Sequence, residues 1–198
     1  MDLNSGTDLI SEYIRYNLKD LEKQSSKDLF TVISTFAGGG GSSTGYKLAG
    51  GKILVTNEVD PTASDTYQLN YPDTSVANMD IRTINRKAGR GKVLDFFQDY
   101  GVRLGQLDIL DGSPPCTAFS TAISGRGKEK VERKNIVHAN LEQSRIGMLI
   151  DAYVYLVNFL KPRVFVMENV VPIKNSPVFK DALDRSRKHG YLVQWNKV

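Results

Sequence analysis

The sequence has few of the residues that form disulfides or bind transition metals. Its 198 residues include one cysteine, Cys116, and two histidines, His138 and His189. A single thiol cannot form an intrachain disulfide, and so few such residues exclude a cysteine-rich zinc centre, so we expect no metal site. A lone cysteine is typical of proteins in a reducing compartment, which predicts a cytoplasmic location.

Long apolar runs are also missing. The N-terminus lacks the basic and apolar regions of a secretion signal. The longest apolar stretch, residues 146–160, contains Gly147, Asp151 and Asn158, and it is too short and too polar to cross a bilayer. We therefore expect no membrane partner. Lysine and arginine number 26 against 22 acidic residues, and this net charge of +4 permits a polyanionic partner without requiring one.

Apolar periodicity predicts alternating strands and helices. The patterns favour strands over residues 29–36, 52–57, 107–110, 163–167 and 191–195, and helices over 8–24, 62–69, 93–100, 141–160 and 178–188. The segment from Ser120 to Asn140 is predicted to be a mobile loop with a local charge excess of +3. Such alternation indicates an α/β fold, with a mostly parallel sheet and helices on both faces.

A glycine run follows the first predicted strand. Gly38 and Gly40 fit the first two positions of a G-x-G-x-x-G pattern, but Ser43 occupies the third, and the P-loop pattern fails because Tyr46 follows Gly45. Glu58 ends the second strand, 20 positions after Gly38, where a carboxylate can accept both ribose hydroxyls. The pattern predicts a nucleotide-type cofactor site, although a flexible loop beside a surface glutamate would look similar.

Two further residues follow predicted strands and carry reactive groups. Cys116 comes after Pro114 and Pro115, which stiffen the turn that presents it, and Glu168 ends the next strand. Neighbouring parallel strands end at the same edge, so the thiol, the acid and the glycine loop would share one site. Taken singly, the cysteine could be a small buried hydrophobe and the glutamate a helix cap or ion-pair partner.

Four ordered motifs resemble those of the cytosine-C5 DNA methyltransferases. They are Phe36–Gly41 (FAGGGG), Asn57–Asp60 (NEVD), Pro114–Ser120 (PPCTAFS) and Glu168–Val170 (ENV). The resemblance runs from about Asp28 to the end of the sequence. It implies a Rossmann-like S-adenosylmethionine-dependent methyltransferase fold over residues 28–198, preceded by an N-terminal helical extension over residues 1–27.

The resemblance also implies which residues bind the cofactor. The S-adenosylmethionine loop would be formed by Phe36, Ala37, Gly38, Gly40 and Gly41. Glu58 would hold the ribose, and Val59 would pack on the adenine. The adenine edge would meet Asp80 and Ile81, and Met148 would supply a further contact.

The implied reaction transfers a methyl group to C5 of a cytosine that is flipped out of double-stranded DNA, leaving S-adenosylhomocysteine as product. Cys116 would be the nucleophile on C6, and Glu168 would protonate or hydrogen-bond N3. Asn169 and Pro115 would position the substrate and the loop. The basic stretch from Arg126 to Lys134 would contact DNA phosphates, unless it is simply a solvated loop.

The sequence departs from the family mainly by what it does not contain. It has no Q-x-R-x-R motif and no target-recognition region. The resemblance therefore predicts a fold incomplete at its C-terminus and little or no activity of this chain alone. One alternative is a remnant or subunit that binds S-adenosylmethionine and needs a separate C-terminal chain. Two others are an RNA substrate and, from the glycine loop alone, a nucleotide-dependent oxidoreductase.

Overall fold

The computed structural model describes residues 16–86, 90–115 and 133–197. At residues 85–86, 90–92, 94 and 133–145 it describes the backbone alone. The strands are β1 (Phe30–Thr35), β2 (Gly51–Glu58), β3 (Ser75–Asn78), β4 (Ile109–Gly112) and β5 (Val164–Met167). The α-helices are α1 (Leu18–Ser25), α2 (Gly41–Leu48), α3 (Pro61–Asn70), α4 (Ile81–Arg86), α5 (Arg90–Gln98), α6 (Arg133–Leu160) and α7 (Pro177–Lys188). A 3-10 helix covers Val171–Asn175.

The five strands form one sheet in the order β3-β2-β1-β4-β5, and every neighbouring pair is parallel. The predicted parallel α/β sheet is therefore confirmed. The chain moves outward in one direction from β1 to β3 and then returns to add β4 on the other side of β1. The point between β1 and β4 is a topological switch point, where open α/β sheets place their ligands.

Apolar residues of the strands and helices form two clusters. The larger joins Ile33, Val55 and Leu110 of the sheet to buried residues of α4 to α7, among them Tyr153 of α6. The smaller joins Leu21 of α1 to Ala37 and to tyrosines 67 and 71. Within the described residues, no helix has the length and apolar character needed to cross a membrane.

Local signals explain where two helices begin. Asn17 accepts hydrogen bonds from the N–H groups of Lys19 and Asp20, while Asp20 accepts one from the N–H of Asn17. This capping box starts α1 at Leu18. The predicted helix over 8–24 is thus wrong at residues 16–17, and residues 8–15 lie outside the described part. In α3, Asp60 caps the helix and Pro61 occupies its first position.

The structure corrects the predicted loop over residues 120–140. Helix α6 begins at Arg133, so residues 133–140 are helical, whereas residues 120–132 lie outside the described part. The prediction relied on the charges of this stretch. No glycine or proline occurs between residues 128 and 146, and charged residues do not break helices.

The predicted strand over residues 191–195 is also wrong. Residues 191–197 contain no strand, although the Tyr191 ring lies edge-on to Phe165 of β5 at 5.1 Å between centroids. Alternating apolar residues form a strand only when a ladder partner is present. Here β5 is the outer strand of the described sheet, and a cleft of about 730 Å³ lies between it and residues 190–196. Leu192 and Trp195 beside it are 89% and 54% exposed.

Candidate active site

The carboxyl ends of the strands meet at one rim, which carries most of the predicted site residues. Phe36 follows β1, Glu58 ends β2, Asp80 follows β3, and Glu168 follows β5. Register pairs Thr35 with both Asn57 and Gly112, so the ends of β2 and β4 flank the glycine loop. The topology therefore places the predicted cofactor loops and, among the predicted catalytic residues, Pro115, Glu168 and Asn169 at one edge of the sheet.

The backbone of the glycine loop is tightly turned. Phe36 and Gly38 have φ angles of 54° and 53°, and the N–H of Gly40 donates to the carbonyl of Ala37 at 3.0 Å. Glycine adopts the left-handed region freely, whereas a bulky residue there is strained by about 1–2 kcal/mol. Strain at Phe36 is typical of a residue held in place at a functional site.

The glycines of the loop are needed for different physical reasons. A Cβ added at Gly38 or Gly41 would meet nothing within 4 Å, so open space lies beside both. A Cβ at Gly40 would lie 2.4 Å from the ring of Tyr71, and Gly40 has φ of 97°. Gly40 is therefore required by packing against α3 and its following residue, while Gly38 and Gly41 leave room for a ligand.

Glu58 connects the second strand to the loop. Its carboxylate accepts hydrogen bonds from the N–H of Gly38 at 2.8 Å and from the N–H of Asp60 at 2.9 Å. A carboxylate has about four acceptor positions, so lone pairs remain for further donors. Val59, next in the chain, is 60% exposed and offers an apolar surface at the rim.

The remaining predicted cofactor residues lie in different environments. The carboxylate of Asp80 pairs with the guanidinium of Arg82, whose Nε lies 2.9 Å from both oxygens. Ile81 is 2% exposed and packs in the larger core cluster. Met148 lies on α6 and is 38% exposed, so its side chain is accessible, and its contact with the cofactor stays a prediction.

Two hydrogen bonds join the ends of β4 and β5. The N–H of Glu168 donates to the carbonyl of Gly112 at 3.1 Å, and the side-chain amide of Asn169 donates to the carbonyl of Pro114 at 2.8 Å. Pro115 and Glu168 are both exposed at this rim. Cys116 lies outside the described residues, so its pairing with Glu168 stays a prediction.

A buried tyrosine, which sequence reasoning missed, lies beneath this junction. The Tyr153 hydroxyl reaches the carbonyls of Leu110 at 3.0 Å and Val166 at 2.7 Å, and complete burial raises the pKa of the phenol. A Cβ at Gly112 would come within 2.6 Å of the Tyr153 ring. The tyrosine thus holds β4 and β5 together just before the predicted catalytic residues. A lone tyrosine on an apolar helix face gives no sequence signal for this role.

A buried acid, also missed, joins the two sides of the switch point. Asp111 of β4 is 3% exposed, and it accepts hydrogen bonds from the hydroxyls of Ser34 and Tyr46, each at 3.2 Å. Burial raises the pKa of Asp111, and the hydroxyl donors oppose that rise. The carboxyl therefore connects β1 and α2 to the strand that leads to Cys116.

The sheet order, the glycine loop after β1 and the acid at the end of β2 define a Rossmann-like α/β domain of the methyltransferase class. The profile of the family described as C-5 cytosine-specific DNA methylase matches residues 30–198. The chain belongs to this family of DNA cytosine-C5 methyltransferases.

Individual relatives agree with this assignment. The chain is 34% identical to the type II methyltransferase M.DdeI of Desulfomicrobium norvegicum over 142 residues, 72% of this chain and 28% of the relative. It is 30% identical to the type II methyltransferase M.AgeI of Thalassovita gelatinovora over 165 residues, 82% of this chain and 33% of the relative. The chain thus spans about a third of these relatives.

The fold is similar to a crystal structure described as a DNA modification methyltransferase encoded within a prophage of E. coli. The TM-score is 0.58 at 24% identity, and the match covers 80% of this chain and 38% of that one. At this identity the likeness concerns the fold alone.

Proposed function

We propose that this chain carries the catalytic part of a DNA (cytosine-5-)-methyltransferase. It would transfer a methyl group from S-adenosylmethionine to C5 of a flipped cytosine through a bond between the Cys116 sulfur and C6. The observation that carries this proposal is the junction of β4 and β5. Its hydrogen bonds hold the residues just before Cys116 beside Glu168 and Asn169.

The cofactor side of the rim fits S-adenosylmethionine. Open space beside Gly38 and Gly41 leaves room for the methionine portion at the start of α2. Phe36 and Val59 offer apolar surfaces for adenine, and Glu58 retains acceptor capacity for the ribose hydroxyls. S-adenosylmethionine, when bound, supplies the methyl group, and S-adenosylhomocysteine is the product.

The side chains have complementary tasks in this reaction. The Cys116 thiolate forms a bond to C6, and the electrons of the C5–C6 double bond move to C5 while Glu168 protonates or hydrogen-bonds N3. C5 then takes the methyl group. The C5 proton then passes to water, and its bonding electrons re-form the C5–C6 double bond as the Cys116 thiolate leaves. Asn169 and Pro115 position the base and the loop, which is supported by the Asn169–Pro114 hydrogen bond.

We propose double-stranded DNA as the partner. A base inside a stacked duplex is inaccessible to Cys116, so the cytosine must be extruded at a cost of a few kcal/mol. The basic stretch from Arg126 to Lys134 would contact phosphates. Base-edge recognition would come from polypeptide outside these 198 residues, on a separate chain or the same one. A catalytically incomplete, cofactor-binding subunit is the alternative, and the cytoplasmic location stays a prediction.

Covalent trapping tests the proposed function. The chain is incubated with S-adenosylmethionine and DNA containing 5-fluorocytosine, whose fluorine blocks the loss of the C5 substituent. We expect an adduct in wild type once a C-terminal polypeptide from a relative is added, and none in Cys116→Ser under the same conditions, and DNA with ordinary cytosine is the control. Incubations with an added C-terminal polypeptide from a relative distinguish the alternatives. Cofactor binding without an adduct, even with that polypeptide, would favour the incomplete subunit.

A further inference from the structure

Two asparagines lie near the ends of β2 and β3, one register position apart in the ladder. The parallel register pairs Asn57 with Ala77 and Glu58 with Asn78. Asparagine is disfavoured in strands, because its short polar side chain competes for backbone hydrogen bonds. Its presence on both strands next to the cofactor rim therefore calls for a physical reason.

Asn57 reaches from β2 to the loop that follows β3. Its side-chain amide donates to the carbonyls of Ala77 at 3.0 Å and Met79 at 2.7 Å. Asn57 is 5% exposed. A replacement side chain that left these two carbonyls without a donor would therefore destabilise the folded state by their desolvation penalty. The backbone carbonyl of Asn57 also accepts the N–H of Ala37 at 3.1 Å. One residue thus contacts both the glycine loop and the segment that leads to Asp80.

Asn78 reaches in the opposite direction. Its side-chain amide lies 3.0 Å from the carbonyl of Glu58, 3.2 Å from the carbonyl of Val59 and 2.9 Å from the hydroxyl of Ser64. These contacts fix the turn between β2 and α3. Each asparagine therefore donates to the loop that follows the other one's strand.

We propose that Asn57 and Asn78, the asparagine clasp, are positioning residues for the nucleoside half of S-adenosylmethionine. The inference rests on the proposed function, because the two loops that the clasp joins carry Glu58 with Val59 and Asp80 with Ile81. The carbonyl acceptors require a side chain with two N–H donors. Asparagine supplies both, whereas aspartate of the same shape would place a negative charge against carbonyl oxygens.

The test compares Asn57→Asp and Asn78→Asp with a matched control, Gln98→Glu. The control makes the same amide-to-carboxylate change on an exposed position of α5. Calorimetry measures the binding of two probes to the full 198-residue chain: S-adenosylhomocysteine, and 5′-methylthioadenosine, which contains only the nucleoside half. In each clasp variant we expect the affinity for both probes to fall at least about tenfold, by a similar factor for the two probes. The control should bind both probes as wild type does.

Amide hydrogen exchange without ligand provides the readout that separates positioning from general stability. We expect faster exchange over residues 58–60 and 79–83 in the clasp variants, with β1 and β4 unchanged. Faster exchange throughout the sheet would overturn the positioning role. Clasp variants that bind like the control would overturn the clasp and leave the proposed function standing. A wild-type chain that binds neither probe would contradict the proposed function itself, and the inference with it.

Discussion

The two sides of the sheet differ in which contacts hold their rim and in how exposed their residues are. On the cofactor half, formed by β1, β2, β3 and their loops, the carboxylate of Glu58 and the amides of the asparagine clasp tie the loops together. On the catalytic half, formed by β4 and β5, Glu168 is exposed and the two valines of the outer strand, Val164 and Val166, are 52% and 39% exposed. Within the described residues, contacts between loops thus close the cofactor half, whereas the outer strand of the catalytic half stays partly exposed.

Replacing Gly40 with alanine should have the largest effect and would test how rigid the cofactor half is. The added Cβ would overlap Tyr71, at a φ that disfavours side chains, so we expect Gly40→Ala to lower the free energy of unfolding by roughly 2–4 kcal/mol. Urea denaturation measures this loss.

Gly41→Ala is the matched control for that change. Its Cβ meets open space at the first position of α2, so stability should change by no more than about 1 kcal/mol. The affinity for S-adenosylhomocysteine should nevertheless fall, because the methyl group occupies the space proposed for the ligand. Equal destabilisation by both alanines would contradict the assignment of Gly40 to packing.

Tyr153→Phe tests whether the catalytic half is stabilised separately from the cofactor half. Removing a buried hydroxyl that serves two carbonyls should cost about 1–2 kcal/mol of unfolding free energy. Hydrogen exchange should accelerate in β5 more than in β2, because the tyrosine holds only β4 and β5. Tyr155→Phe, the same change at a partly buried position of α6, should have a smaller effect. Uniform acceleration across the sheet would show that the two halves are not separately stabilised.

Asp111→Asn should have the smallest effect on the free energy of unfolding. It tests the boundary between the two halves of the sheet. Burial raises the pKa of Asp111 above its ordinary value of 3.8, so the folded state holds this proton more tightly than the unfolded state. The stability that the protonated carboxyl contributes is present at low pH and is lost as pH rises through the folded pKa. The asparagine variant should therefore gain stability relative to wild type as pH rises.

Urea denaturation at several values between about pH 4 and pH 8 measures that gain. Asp108→Asn is a useful control on the same strand region. Hydrogen bonds from Thr31 lower the pKa of Asp108 below its ordinary value of 3.8, so its contribution to stability is lost only at lower pH and this variant should show no such gain as pH rises. A difference between Asp111→Asn and wild type that stays constant with pH would show that the carboxyl does not titrate in this range.

The sequence predicted the elements more readily than the contacts between them. Apolar periodicity located β1, β2 and most helices, and the glycine run with Glu58 pointed to the rim at which we propose that S-adenosylmethionine binds. The contacts of Asn57, Asn78, Asp111 and Tyr153 depend on which strands are neighbours and in what register, and no single stretch of sequence encodes that. The predicted strand over 191–195 failed for the same reason, because its alternation is real but its ladder partner is missing from the described residues.

The outer strand β5 has a practical consequence. Among the described residues β5 has a ladder partner on one side only, and such an edge with half-exposed valines is a template for another strand, so copies of this chain should tend to pair edge to edge. Concentrated preparations of the 198 residues should self-associate and precipitate more readily than dilute ones. A charged residue in place of Val164 should suppress that aggregation while leaving the cofactor half intact.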